Sequence, residues 1–173
     1  MDFTEKLKKV VQYVAFRCDP YYLGDVRLNK ILWKADVLMH MERGESITGW
    51  RYLKFPLGPM LDDYYTLLRK MESEGMLSLA YVYEDNCKKR IIETNEFYNN
   101  DLLSPEEMKV LDEFIIYVTS KSTREISDET HDMFYEMTGD REEIPFGPVS
   151  VEPSEEAIQW AQGVMKEYDQ VHT

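Results

Sequence analysis

The sequence lacks any long hydrophobic run. Among its 173 residues, Lys, Arg, Asp or Glu interrupts every apolar stretch well before the ~20 residues that a membrane-spanning helix needs. The N-terminus, MDFTEKLKKVV, also lacks the continuous apolar stretch of a secretory signal. We therefore expect no membrane association and a cytoplasmic location.

Cysteine is scarce as well. Cys18 and Cys87 are the two cysteines of the chain, and they lie far apart in no metal-ligand spacing. This excludes a disulfide framework and a zinc knuckle. Both residues are expected to be free thiols.

The sequence has no excess of basic residues. It contains 20 Lys and Arg against 33 Asp and Glu, a net charge of -13. Residues 1–100 hold 15 acids and 15 bases, so residues 101–173, with 18 acids and 5 bases, carry the whole imbalance. We therefore do not expect free nucleic acid as a partner, because phosphate binding usually needs a basic stripe. An acidic surface instead accelerates the encounter with a basic protein.

Apolar residues recur at helical spacing in six segments. The predicted helices cover about residues 3–17, capped by Asp2 and Glu5; 25–43, ending at Gly44; 59–73, opened by Pro59; 105–119, opened by Ser104; 127–138, opened by Ser127; and a last helix after Ser154. The segment from Tyr21 to Gly24 is expected to be a short connector.

Two segments have the alternation of β structure. Residues 45–55 suit a turn followed by an extended segment, and residues 77–92 suit a hairpin with its turn at residues 85–88. The predicted fold is mainly α with a small β-hairpin, an α+β class with a winged-helix-like core. No repeat or linker divides the chain, so residues 1–173 are expected to form a single compact domain.

Histidine is also rare, with three residues. Asp36 and His40 lie four apart on one helix, but no second ligand motif is near them. His131, between Glu129 and Asp132 in the predicted first turn of a helix, is the remaining candidate for acid–base chemistry. A structural role is favoured for both histidines, so we predict no catalytic residue, no metal and no cofactor. An enzyme that uses His131 is a hypothesis that this residue pattern does not favour.

Two further patterns have a possible binding role. Gly58-Pro59 at a predicted helix start could form an anion-binding corner, but the several glycines of a phosphate loop are missing. Trp50, Tyr52 and Phe55 could stack on bases. In a charge-balanced half of the chain, these aromatics are more typical of a core or a protein interface.

The stretch from Leu28 to Met60 resembles the core of the Panacea (SocA-like) antitoxin domain. That family has a K-x-L-Y-x-A-D helix, then Gly, then I-T-G-x-x-Y, then G-P-V-P. The matching residues are Lys30, Leu32, Trp33, Ala35, Asp36, Gly44, Ile47, Thr48, Gly49, Tyr52, Gly58 and Pro59. Later matches are Leu67, Leu68, Gly75, Leu103, Ser104, Glu107, Ile126 to His131, and Ile144 to Phe146. The sequence departs from the pattern at Met60 and Leu61, which replace Val-Pro, and at Trp33, where Tyr is common.

The resemblance implies an antitoxin of a bacterial or phage toxin-antitoxin module that binds its toxin directly. In some members the domain also hands the toxin to a protease. The motif residues are then structural or partner-binding: Asp36, Gly49, Tyr52, Gly58, Pro59, Thr130 and His131. Of these two roles, the structural one is favoured, because glycines permit tight backbone and Asp36 can hydrogen-bond across the core.

The expected partner is therefore a cognate toxin protein, and a protease is a further one. We expect the acids between Glu125 and Glu156, among them Asp128 and Glu129, to steer a basic toxin, and Trp50, Tyr52 or Phe146 to supply the buried contact. The alternative is a winged-helix-like transcription regulator that binds operator DNA. The missing basic excess argues against it.

Overall fold

A computed structural model describes residues 2–146 and residue 159. Its elements are α1 (Glu5–Arg17), α2 (Pro20–Arg43), β1 (Tyr52–Phe55), β2 (Gly58–Leu61), α3 (Tyr64–Ser73), β3 (Ser78–Glu84), β4 (Cys87–Glu93), α4 (Pro105–Thr119), α5 (Thr123–Thr130) and α6 (Met133–Met137). The predicted class, mainly α with a small β component, is confirmed. Apart from residue 159, the helix predicted after Ser154 lies outside the described residues.

The starts of the first two helices differ from the prediction. Thr4, not Asp2, caps α1, because the Thr4 hydroxyl accepts a hydrogen bond from the Leu7 N–H at 3.1 Å. Asp19 caps α2, and the residues expected to be a connector form its first turn. Gly24, with φ 60° and ψ 171°, then interrupts the helix. Only glycine adopts this conformation readily, so α2 changes direction there and continues to Gly44.

The β1–β2 hairpin was not predicted. Pro59 was expected to open a helix, but it lies in β2, opposite Lys54 of β1. A residue without an N–H is tolerated here because β2 is an edge strand of its two-stranded sheet. The following helix, α3, begins at Tyr64 after Asp63, whose φ is 58°.

The second hairpin, β3–β4, matches its prediction. Asp85 and Asn86 form the turn with φ of 48° and 63°, as two-residue hairpin loops favour. The two hairpins are separate two-stranded sheets. The extended segment β1 therefore pairs with β2 and not with the β3–β4 hairpin, unlike the arrangement of a three-stranded wing.

The C-terminal helices include one further correction. Ser104 and Glu107 form the predicted capping box of α4. The helix expected to start at Ser127 instead starts at Thr123, where Ser122 and Glu125 form a second capping box. It ends at His131, which has non-helical angles, and α6 follows as a separate short helix.

Helix α2 is the centre of the molecule. It contacts α1, α4, α5, β2 and β4, and it supplies fully buried side chains to the core. Within the described part, no helix is both long and apolar enough to cross a membrane. Cys18 is buried and Cys87 exposed, and both are free, as predicted.

Candidate functional site

Asp36 of α2 organises the chain that enters β1. Its Oδ1 accepts hydrogen bonds from the backbone N–H groups of Ile47 at 2.8 Å and Thr48 at 2.9 Å. Its Oδ2 accepts the hydroxyl of Thr48 and, at 2.7 Å, the hydroxyl of Tyr52. The carboxylate is fully buried and fastens α2 to the segment that carries the I-T-G-x-x-Y motif.

The electrostatics of this carboxylate follow from its burial. Loss of solvent raises the pKa of Asp36 to about 6, although its four hydrogen bonds act in the opposite direction. Burial and the neighbouring Asp36 raise the pKa of the Tyr52 hydroxyl well above its ordinary value. Both groups are enclosed, so this network supports a structural role for Asp36 and Tyr52.

Lys30, Gly58 and Thr130 meet in a second buried cluster. The Lys30 ammonium is 1% exposed and donates to the carbonyl of Leu57. A Cβ on Gly58 would lie 1.9 Å from Lys30 Nζ and 2.5 Å from Thr130 Oγ1, and Gly58 has a φ of 111°. Glycine is therefore required here by both space and backbone angle. Burial, with a contribution from Lys34, lowers the pKa of Lys30 to about 7.

His131 lies beside this cluster as a packed side chain. Its ring stacks on Tyr135 at a centroid distance of 4.2 Å, and the Tyr135 hydroxyl donates to the carbonyl of Phe55 at 2.6 Å. His131 Nε2 and Ser127 Oγ are buried without a hydrogen-bond partner among the described residues. In this same part of the chain, no group of three or more His, Cys, Asp or Glu side chains could hold a metal ion.

The three aromatic candidates differ in their exposure. Tyr52 is fully buried, so it is not available at the surface as a direct contact. Trp50 is half-buried: its indole N–H donates to the Asp62 carbonyl at 3.0 Å and its ring packs on Phe3. Phe146 is half-buried and stacks on Trp33 at 5.5 Å. Trp50 and Phe146 therefore remain as candidates for a partner contact.

The three acidic candidates on α5 also differ. Glu125 is held in its capping box with Ser122. Glu129 forms ion pairs with Lys34, at 3.3 Å, and with Lys121. Asp128 is exposed and forms no side-chain hydrogen bond or ion pair within residues 2–146. Asp128 thus presents the least compensated charge of the three.

A groove of about 260 Å³ lies between α2, α4 and the end of α5. We call it the α2–α4 groove; it is lined by Trp33, Lys34, Val37, Leu38, Met41, Phe114, Glu129, Thr130 and Asp132. Its apolar residues come from α2 and α4. Its two acids are Glu129 at the end of α5 and Asp132 just after α5, and Lys34 of α2 pairs with Glu129 at 3.3 Å. Met41 is 60% exposed although it belongs to this apolar surface.

Sequence reasoning identified Glu129 and Thr130 in this groove but missed its apolar floor. A signal was present in the sequence, because Trp33, Val37 and Met41 recur every four residues on α2. This second stripe lies beside the one that was recognised as the core face. An apolar stripe in addition to the core stripe is a sign of a second packing surface.

Comparison with known proteins agrees with this architecture. The family model of the antitoxin SocA-like, Panacea domain matches residues 28–134. Neither the curated proteins nor the solved structures contain a significant match. The matched range runs from α2 into α6 and includes the Asp36 network, the Lys30 cluster and every lining residue of the α2–α4 groove. Because this match spans more than half of the sequence, the chain belongs to the SocA-like Panacea antitoxin domain family.

Proposed function

We propose that this chain neutralises a cognate toxin protein by direct binding, and that the α2–α4 groove is the docking surface. Membership of an antitoxin family supports a toxin as the partner. The observation that carries the choice of surface is an apolar groove with acids along one side. Such a groove suits a basic, amphipathic segment of the toxin.

The apolar part supplies the contact that determines how long the complex lasts. Met41 is 60% exposed, and Val37, Leu38 and Phe114 are half-buried beside it. Exposed apolar side chains that cluster in this way are typical of interaction sites. Methionine adapts its shape to different partners because its side chain is unbranched and flexible.

The charged part accelerates association. Asp132 lines the groove, Asp128 precedes it on α5 and Glu136 follows it on α6, and all three acids are exposed. They belong to the part of the chain that carries the whole net charge of -13. A basic toxin segment would be attracted to this side, with its apolar residues directed into the groove.

The first experiment measures association kinetics. The probe is the product of the neighbouring gene, first identified as lethal alone and harmless when this chain is co-expressed. The double variant Asp128→Lys/Glu136→Lys reverses two exposed acids that take no part in an ion pair or a side-chain helix cap within residues 2–146. Glu93→Lys/Glu96→Lys, which makes the same change in net charge elsewhere, is the matched control.

We expect the first double variant to slow association at least tenfold at low salt, and the control to slow it much less. The difference should shrink as salt rises, because screening weakens the attraction. An unchanged association rate, or an equal effect of both variants, contradicts steering by this side of the molecule.

A second experiment tests the apolar floor. Met41→Glu should accelerate dissociation at least tenfold, since a charge then lies where apolar side chains meet. Met137→Glu is the control, because Met137 is 77% exposed and does not line the groove. Equal dissociation rates for the two variants would place the toxin on another surface.

The same co-expression separates two modes of neutralisation. If the chain blocks the toxin, the toxin accumulates in a stable complex. If the chain delivers the toxin to a protease, the amount of toxin falls when the chain is present and recovers in a protease-deficient strain. Direct blocking is the mode that the groove supports.

A further inference from the structure

A second surface differs in charge from the rest of the molecule. We call it the hairpin face; it is formed by β3, β4, α3 and the first part of α2. Its exposed tyrosines are Tyr21, Tyr22, Tyr65, Tyr81 and Tyr83. Its cations are Arg27, Arg69, Lys88, Lys89 and Arg90.

Tyrosines and cations alternate on this face. Lys88 Nζ lies 3.9 Å from the centroid of the Tyr81 ring, and Lys89 Nζ lies 4.7 Å from that of Tyr21. The Arg90 guanidinium lies between two rings, 5.2 Å from Tyr81 and 5.3 Å from Tyr65. The cations are thus held beside flat aromatic surfaces that solvent can reach.

Most of these cations lack an acidic partner. Arg90 pairs with Asp25 at 3.2 Å. In the described part of the chain, Arg27, Arg69, Lys88 and Lys89 form no ion pair. The face therefore carries a local positive surplus in a chain whose net charge is -13.

The acids on this face are partly engaged. Glu84 accepts the Tyr21 hydroxyl at 2.7 Å, and Glu72 accepts the backbone N–H of Leu79 at 3.2 Å. Asp85 lies exposed at the hairpin turn. Glu72 and Glu84 are exposed as well, so with Asp25 the face holds four acids against its five cations, a surplus of one positive charge.

The face is also concave. Three clefts of about 350, 530 and 300 Å³ lie along it. The first two share Tyr65, the second and third share Arg90, and the first and third share Asp25. The second and third clefts thus both border Arg90, whereas the first is lined mainly by α2 and the β1–β2 hairpin and meets them at Asp25 and Tyr65.

From this arrangement we propose that the hairpin face binds single-stranded nucleic acid. Phosphates would lie over Arg69, Lys88 and Lys89, and unpaired bases would stack on the rings of Tyr65 and Tyr81. Aromatic platforms between cations are the usual means of holding a single strand without sequence preference. The overall charge of the sequence argued against a nucleic-acid partner because it sums the charges of this face with those of the acidic residues 101–173.

Duplex DNA and an acidic protein segment would each contact the cations of the hairpin face but not its tyrosine rings. A duplex keeps its bases stacked on one another, so the tyrosine rings would have no base to contact. An acidic protein segment would meet the cations but would leave most of the rings without a flat partner. The proposal is separate from toxin binding, since none of the residues that line the α2–α4 groove belongs to this face.

The test is fluorescence anisotropy with the full chain and two labelled probes, oligothymidylate and oligouridylate. We expect saturable binding of at least one probe at low salt. The logarithm of affinity should fall with the logarithm of salt at a slope of about -2 to -3, as expected for three or four neutralised phosphates on a single strand. The two probes distinguish DNA from RNA as the source of the strand.

The decisive variant is Tyr81→Ala/Lys88→Ala, which should weaken binding at least tenfold. Tyr98→Ala/Lys109→Ala removes the same residue types from exposed positions that do not line the three clefts, and it should bind like the wild type. Lys88→Glu is a second variant in case the double variant does not fold. Both Lys88 variants should still bind the toxin.

Four outcomes would overturn the proposal. They are no binding of either probe at low salt, equal loss in the control variant, tighter binding of a duplex of the same length, and competition by polyglutamate as strong as that by the oligonucleotide. The third result would assign the face to duplex DNA, and the fourth would assign it to an acidic protein.

Discussion

Asp36 on α2 accepts a hydrogen bond from the hydroxyl of Tyr52 on β1 at 2.7 Å, and both side chains are fully buried. The bond joins two parts of the family motif that lie 16 residues apart. It explains why an aspartate and a tyrosine occur together in this motif. It also predicts how the stability of the protein depends on pH.

The folded protein should lose stability as pH rises from 4 to 6 because of Asp36. Burial raises the pKa of Asp36 from 3.8 to about 6, so the folded state binds a proton that the unfolded state releases. At about 1.4 kcal/mol per pKa unit, this group lowers the free energy of unfolding by about 3 kcal/mol across the range. Other acids titrate there as well, so the contribution is isolated by comparison with Asp36→Asn.

Asp36→Asn should be destabilised by roughly 1–3 kcal/mol at pH 4, because its NH2 group, unlike a carboxyl oxygen, cannot accept a hydrogen bond from the hydroxyl of Thr48 or Tyr52. The deficit should shrink toward pH 7, since the variant lacks the titrating group. Urea unfolding of both proteins at several pH values measures this difference. A deficit that stays constant with pH contradicts the assigned role of burial.

Lys30 should have the opposite dependence. Its pKa falls from 10.5 to about 7 on folding, so the unfolded state binds more protons above pH 7 and stability rises with pH. Between pH 7 and 9 the expected gain is about 3 kcal/mol. Lys30→Met should lack this gain. The free energy of unfolding of the variant, relative to that of the wild type, should therefore be highest at pH 6 and fall as pH rises. Lys109→Met, an exposed site, is the control; an equal pH profile in all three proteins would exclude this account.

Gly58→Ala should cost more stability than Gly49→Ala. Both glycines have positive φ, 111° and 63°, but an added Cβ at Gly49 meets nothing within 4 Å. At Gly58 it would meet the Lys30 amine and the Thr130 hydroxyl. We expect about 1 kcal/mol at Gly49, from backbone strain alone, and roughly 3 kcal/mol at Gly58. Thermal or urea unfolding of the two variants measures the difference.

A double-variant cycle identifies the cause at Gly58. If the clash with the amine dominates, Lys30→Ala should recover part of the stability lost in Gly58→Ala, giving a coupling energy above about 0.5 kcal/mol. Additive effects would instead assign the loss to the backbone angle.

Much of the fold was readable from the sequence because the signals are local. The capping box of α4 and the turn at Asp85 and Asn86 depend on neighbouring residues only, and both were predicted correctly. The β1–β2 hairpin was missed because Pro59 is equally suited to a helix start and to an edge strand. Local sequence does not decide between these two environments.

The candidate surfaces were less predictable because they depend on tertiary contacts. Glu125 and Glu129 look alike in the sequence, but one closes a helix cap and the other pairs with Lys34 from α2. Tyr52 was predicted as a motif residue and a candidate partner contact, but its hydroxyl donates to Asp36 and its side chain is fully buried. The contacts of Arg90 on the hairpin face could likewise not be predicted, because Asp25, Tyr65 and Tyr81 lie on three separate elements.

The corrected start of α5 gives a final prediction. The sequence indicated Ser127 as the N-cap, whereas the Ser122 hydroxyl accepts the Glu125 N–H at 3.2 Å and Ser127 is buried within the helix. Ser122→Ala should therefore lower stability by about 1 kcal/mol, the usual cost of removing an N-cap. Ser127→Ala should cost less, because the Ser127 hydroxyl has no hydrogen-bond partner among the described residues. Because α5 carries Asp128, loss of the cap should also slow toxin association slightly. A larger loss of stability in Ser127→Ala than in Ser122→Ala would instead indicate that the helix starts at Ser127.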